Sequence, residues 1–109
     1  MKEEVKLVTE RFMSKFGDLV TADVPVLVYF YAQWNEACTA MDAVIYDVAA
    51  AMGDQLRIVK IDVAKNNELI EALRIKKVPT LLLYKKGAMI WRQSGVMETE
   101  ALLSVTKTL

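Results

Sequence analysis

At 109 residues, 54% of them hydrophobic and 26% charged, the chain is long enough to bury a core and is expected to form one domain over residues 1–109. Its 14 Lys and Arg balance 14 Asp and Glu, which gives no electrostatic footprint for nucleic acid or an anionic membrane surface, and no apolar run approaches the roughly 20 residues of a membrane span. One cysteine and no histidine exclude an internal disulfide, an ordinary zinc site and histidine-based acid–base chemistry, so no metal or other cofactor is expected.

The opening Met1-Lys2-Glu3-Glu4-Val5-Lys6 is charged and has none of the apolar stretch of a signal peptide, so a cytoplasmic protein is expected. Val5 to Val8 reads either as a first strand or as part of a helix, because Val5, Val8 and Phe12 also fall at helical spacing. Phe16 to Val20 reads as a short helix or helix end, with Phe12, Phe16, Leu19 and Val20 on one side. Pro25 to Ala32 is a near-continuous apolar run rich in Val, Tyr and Phe, which predicts a central strand buried on both faces. The next helix carries Cys38, Met41, Ile45, Val48 and Met52 at spacings of three and four, with Gly53 at its C-terminal stop.

Leu56 to Asp62 predicts a second strand, and Asn66 or Asn67 is placed to cap a short helix bearing Leu69, Ile70 and Leu73. Pro79 to Tyr84 predicts a third strand. Lys85-Lys86-Gly87 turns it into a fourth, Ala88 to Arg92, with Gly87 supplying a positive φ. A last helix from Glu98 is predicted to face Ala101, Leu102, Val105 and Leu109 inward, and Trp91, Met41, Met52 and Met89 are read as packing residues. Strands separated by helices predict parallel pairing and the closing hairpin antiparallel pairing. The expected fold class is α/β, a mixed sheet of four to five strands with helices on both faces.

The chemistry gathers where the first strand meets the long helix, at Trp34-Asn35-Glu36-Ala37-Cys38. Asparagine is among the best N-caps, and the Asn35 side-chain oxygen is placed to accept the N–H of Ala37 or Cys38. Glu36 in the first turn suits the positive end of the helix dipole. Cys38 has two readings: a buried apolar filler on the face toward the sheet, or a monothiol activated by the helix N-terminus.

Several blocks resemble the thioredoxin family. Val26 to Trp34 is similar to its strand leading into the active site, and Lys60-Ile61-Asp62-Val63 to its second central strand. Val78 to Gly87 resembles its cis-proline loop and hairpin, and Ser94-Gly95-Val96 the loop beside the substrate groove. The similarity runs from Phe16 to Leu109 and implies the thioredoxin fold. That family carries Trp-Cys-Gly-Pro-Cys at the junction. By resemblance Asn35 occupies the nucleophile position and Cys38 the resolving position. Glu36-Ala37 replaces Gly-Pro, and Tyr29 stands where the family usually keeps a buried aspartate.

The resemblance also implies a partner groove formed by Trp34, Glu36, Val63, Lys77, Val78, Pro79, Gly95 and Val96. Lys77 departs from the family's frequent glycine. With Lys76 it adds positive charge near Glu36, which suggests a preference for acidic or polar peptides. The implied function is a divergent thioredoxin-like protein that binds thiol- or disulfide-containing protein partners, or an extended peptide, without a dithiol cycle, as an adaptor, chaperone-like subunit or decoy. Nucleic acid and membrane are not expected as partners. The alternatives are a monothiol protein-disulfide oxidoreductase or redox sensor using Cys38, and a purely structural or oligomer-forming domain.

Overall fold

The apolar run after Pro25 becomes the inside of the sheet. A computed structural model describes residues 15–108. In it β1 (Val26–Tyr31) lies between β2 (Arg57–Asp62) and β3 (Thr80–Lys85), and β4 (Ala88–Ser94) follows β3 on the far edge. Side chains alternate across a strand. Val26, Val28 and Phe30 therefore meet Phe16, Val20, Ile61 and Leu69 on one face, while Leu27 and Tyr29 meet Met41, Ile45, Val48, Met52 and Leu102 on the other.

These two clusters show how the helices are layered. The helix over residues 15–20 (α1) and α3 (Asn67–Ala72) cover the first face. Helices α2 (Glu36–Met52) and α4 (Thr99–Thr108) cover the second. In α1 only Phe16 and Val20, one turn apart, are buried; Leu19 is exposed, contrary to its expected inward side. Phe12, the Val5 to Val8 alternatives and Leu109 lie outside the described residues.

All five apolar positions read for α2 are buried. The helix stops at Gly53, whose φ of 52° favours glycine and whose N–H donates to Ala49 O. Asn66 precedes α3, but its side chain makes no capping bond; its amide donates instead to Asp62 O at 2.8 Å. In α4 the buried residues are Leu102 and Thr106, with Leu103 and Val105 packed beside them, while Ala101 faces solvent. Alanine carries too little apolar surface to set a helix face.

Strand direction differs from expectation at one place. β1 and β2 are parallel, joined by α2, but β1 and β3 are antiparallel although α3 lies between β2 and β3. β2 leaves at Asp62, which faces Tyr31, and β3 enters at Thr80, which faces Phe30, so the connection through α3 begins and ends at the same end of the sheet.

The β3–β4 hairpin turns through Lys86 and Gly87, both at positive φ. A register shift opposite Leu83/Tyr84 follows, so that Leu83 faces Trp91 and Tyr84 faces Met89. Trp91 packs against the α2/α4-side core. Met89, read as a packing residue, is 48% exposed on the edge strand β4.

Candidate functional site

The register brings every expected site segment to one end of the sheet. Tyr31, the last residue of β1, faces Asp62, so the Trp34 segment and Val63 leave from the same end. Phe30 faces Thr80 and Thr80 faces Ser94, which brings Pro79 and Gly95 to that end too.

At the start of α2, Trp34 adopts φ 62° and is 98% exposed. Asn35 is extended, and its Oδ1 accepts the Cys38 N–H at 2.9 Å. Its carbonyl accepts the Thr39 N–H at 3.0 Å and the Thr39 hydroxyl at 3.2 Å. Glu36 is exposed in the first turn. The asparagine thus satisfies one of the N–H groups that a helix start leaves open.

Cys38 is buried, and its Sγ accepts the Ala32 N–H at 3.5 Å. Beside it lies Tyr29, fully buried, with its hydroxyl 2.8 Å from Cys38 O and 2.9 Å from Asp42 Oδ1. One phenolic proton therefore faces two acceptors. Burial, then the hydrogen bond to Asp42 and its charge, push the Tyr29 phenol well above its usual value. At neutral pH it is a donor and not a base. Asp42 Oδ1 is in turn 3.6 Å from Lys60 Nζ, and Lys60 lies 4.8 Å from the Tyr31 ring centre. A depression of about 290 Å³, lined by Tyr31, Ala32, Gln33, Trp34, Cys38, Thr39 and Asp42, reaches the thiol from this side.

The second part of the site is the loop before β3. The Val78–Pro79 bond is cis. Pro79 O accepts the Gly95 N–H at 2.8 Å, and Gly95 has φ 96°. The buried Thr80 hydroxyl donates to Lys77 O at 2.6 Å and lies 2.8 Å from Ser94 Oγ, which must then be the donor of that pair. Among the described residues, neither the N–H nor the C=O of Val78 has a hydrogen-bond partner. Lys77 and Val96 are exposed.

Val63 is less direct. It opens the 3-10 turn Val63–Lys65, is partly buried and packs against the α1/α3-side core. The Asp62 carboxylate caps this turn by accepting the Ala64 N–H at 2.9 Å and also receives Gln33 Nε2 at 3.4 Å, tying the turn to the Trp34 segment. Four contributors escaped the sequence reading: Asp42, the Gln33–Asp62 link, the Thr80–Ser94 pair and Arg92. Asp42 had a signal, since it follows Cys38 by four residues and so stands one helical turn away on the same side. Arg92 donates from Nη1 to Leu73 O and from Nη2 to Arg74 O, both at 2.7 Å. It thereby clamps the start of the Pro79 loop.

The family model described as Thioredoxin matches residues 5–108. The chain belongs to the thioredoxin family. This thioredoxin-family protein is 32% identical over 91 residues to the chloroplastic thioredoxin Y of rice, across 83% of its own length and 54% of the relative's. It therefore spans about half of that relative. It is also 32% identical over 96 residues to a thioredoxin-like protein of Synechocystis, across 88% of this chain and 91% of that one. Among solved structures it is similar to mitochondrial thioredoxin 3 of Saccharomyces cerevisiae in its oxidized form, with TM-score 0.79, 26% identity, and coverage of 89% and 90%. The family includes plastid, mitochondrial and bacterial proteins, so membership sets no compartment. Among the described residues no helix is long and apolar enough to cross a membrane.

Proposed function

We propose that this thioredoxin-family protein binds thiol- or disulfide-containing protein partners through a groove framed by Trp34 and Pro79, and that it does not run the dithiol–disulfide cycle. The cycle needs one thiolate to attack a partner disulfide, releasing one partner thiolate and leaving a mixed disulfide. A second thiol then displaces the other partner sulfur, so that two protein thiols become one disulfide and the partner gains two electrons. One cysteine cannot complete it.

The observation that carries the proposal is the bond from Cys38 N–H to Asn35 Oδ1. The residue at the nucleophile position stabilises the helix start, and the remaining thiol is 2% exposed. Binding is supported by the bare Trp34 ring and by the unpaired backbone of Val78, to which an extended peptide can add as a strand. Insulin reduction driven by dithiothreitol tests the proposal. No acceleration over the reductant alone is expected; clear turnover refutes it.

One observation favours a second reading, a monothiol oxidoreductase: the depression beside Trp34 has Cys38 in its wall. Thiol labelling of the native protein separates the two. Slow labelling that becomes fast on denaturation fits the binding protein. Fast native labelling, abolished in Cys38→Ser, fits the monothiol enzyme.

A further inference from the structure

The loop that carries Pro79 also carries an unbalanced charge. Arg74, Lys76 and Lys77 are all exposed, and among the described residues none of them pairs with a carboxylate. The chain as a whole is neutral, so this is a local concentration of cations and not one side of a basic protein.

The track that bears them is fixed. Arg92 holds Leu73 O and Arg74 O. Ile75 is buried, and its N–H donates to Ile70 O at 3.0 Å. Lys77 O accepts from the buried Thr80 hydroxyl. The backbone is thus anchored on both sides of Lys76, and both lysines lead directly into Val78, whose N–H and C=O are open. Successive residues of an extended chain are about 3.3 Å apart. A peptide paired with Val78 therefore has its neighbouring side chains within reach of Lys77 and Lys76. On the Trp34 side the exposed charge is Glu36, of opposite sign.

We infer that the partner is an extended protein segment carrying acidic residues within two positions of the residue that pairs with Val78, with its carboxylates set against Lys76 and Lys77. This rests on the groove reading above and adds the chemistry of the occupant. Exposed Lys76 and Lys77 stand on the groove's α3 side and exposed Glu36 on its α2 side. The groove therefore selects the segment's charge and also its direction.

The test is fluorescence anisotropy with short labelled peptides of one Ser/Thr/Val host sequence. Three adjacent central positions are Asp/Glu, Asn/Gln or Lys. The acidic peptide is expected to bind about three- to tenfold tighter than the Asn/Gln peptide at low salt, as two exposed ion pairs allow. That ratio should fall to about one near 1 M salt, where the screening length is about 3 Å, and also in Lys76→Gln/Lys77→Gln. Trp34→Ala is expected to weaken binding of both peptides. Equal binding of acidic and Asn/Gln peptides overturns the inference and leaves the groove standing. No binding of any peptide overturns both. An acidic preference that survives Lys76→Gln/Lys77→Gln, binding of both peptides that Trp34→Ala leaves unchanged, or equal capture of single-stranded DNA overturns the inference by locating the site elsewhere or making it nonspecific.

Discussion

Replacing Asn35 with alanine removes one acceptor and almost nothing from the core. Asn35 Oδ1 is 2.9 Å from the Cys38 nitrogen, and its backbone carbonyl keeps its bond to Thr39 in the variant. Loss of an N-cap side chain costs about 0.5–2 kcal/mol. Here the orphaned N–H belongs to Cys38, which is 2% exposed, so water replaces the lost oxygen poorly. The cost should lie in the upper half of that range, about 1.5 kcal/mol. For a chain of 109 residues, an unfolding entropy of about 2.1 cal/mol/K per residue turns this into a Tm lower by about 7 °C. Asn35→Asp keeps the acceptor and adds a negative charge at the positive end of the helix, so it should stay within about 0.5 kcal/mol of the parent. Asn35→Cys loses the cap as alanine does. Urea denaturation followed by far-UV circular dichroism measures all three. If Asn35→Ala is as stable as Asn35→Asp, the capping account of this residue is wrong.

Tyr29→Phe should cost about 1 kcal/mol at neutral pH through the lost bond to Asp42 and Cys38 O. Because the folded phenol titrates above its unfolded value near 10, the extra stability it gives is complete below that pH and lost above it. The parent should lose about 1.4 kcal/mol per pH unit above about pH 10 relative to Tyr29→Phe, and a stability difference that stays flat from about pH 9 to about pH 11 would contradict this. Gly53→Ala should cost about 1 kcal/mol through backbone conformation alone, since a Cβ there meets nothing within 4 Å; an alanine variant as stable as the parent in urea would remove that account. Thr80→Val should cost about 2 kcal/mol by leaving Lys77 O and the Ser94 hydroxyl unpaired, and Thr80→Ser less; equal losses in denaturant would mean that the hydroxyl contributes nothing.

What was legible in the sequence follows from how far each signal reaches along the chain. β1 was legible because a strand buried on both faces must be apolar at every position. Helix α2 was legible because Cys38, Met41, Ile45, Val48 and Met52 share one face and all five are buried. The direction of β3 was not, because it depends on which end of the sheet the connection through α3 returns to and not on any residue pattern. Asn66 looked like a cap because asparagine suits both a helix start and a turn; its amide reaches back to Asp62 O. Met89 looked like core because its type says nothing about whether its strand lies at the edge of the sheet. At the site, the Trp34 to Cys38 segment was legible as a contiguous motif. The bond from Tyr29 to Asp42 was not, since it joins a strand to a helix 13 residues on. Nor was the reach of Arg92 from β4 to the end of α3.

The two halves of the site differ in how their polar groups are engaged. The polar side chains nearest the thiol are paired. Asn35 Oδ1 takes the Cys38 N–H, Sγ takes the Ala32 N–H, the Tyr29 proton faces Cys38 O and Asp42, and Asp42 meets Lys60. Tyr29 does not serve as the base that takes a proton from sulfur, because it is held in its protonated form. Along the Pro79 loop the balance is reversed. Among the described residues the Val78 backbone is unpaired and Lys76 and Lys77 have no counter-charge, and the Trp34 ring is bare. Solvated groups of this kind cost the free protein little, since water satisfies them. They contribute once a partner replaces that water with matched bonds, apolar contact and opposite charge. This arrangement is the one the proposed recognition role calls for. Restoring a thiol by Asn35→Cys should therefore supply only part of the family's chemistry: any insulin reduction it yields has to proceed without a carboxylate at position 29, and Asn35→Cys/Tyr29→Asp should exceed it. If the single variant already matches the double, Tyr29 is no barrier to the reaction and the substitution at Asn35 alone separates this chain from an active dithiol protein.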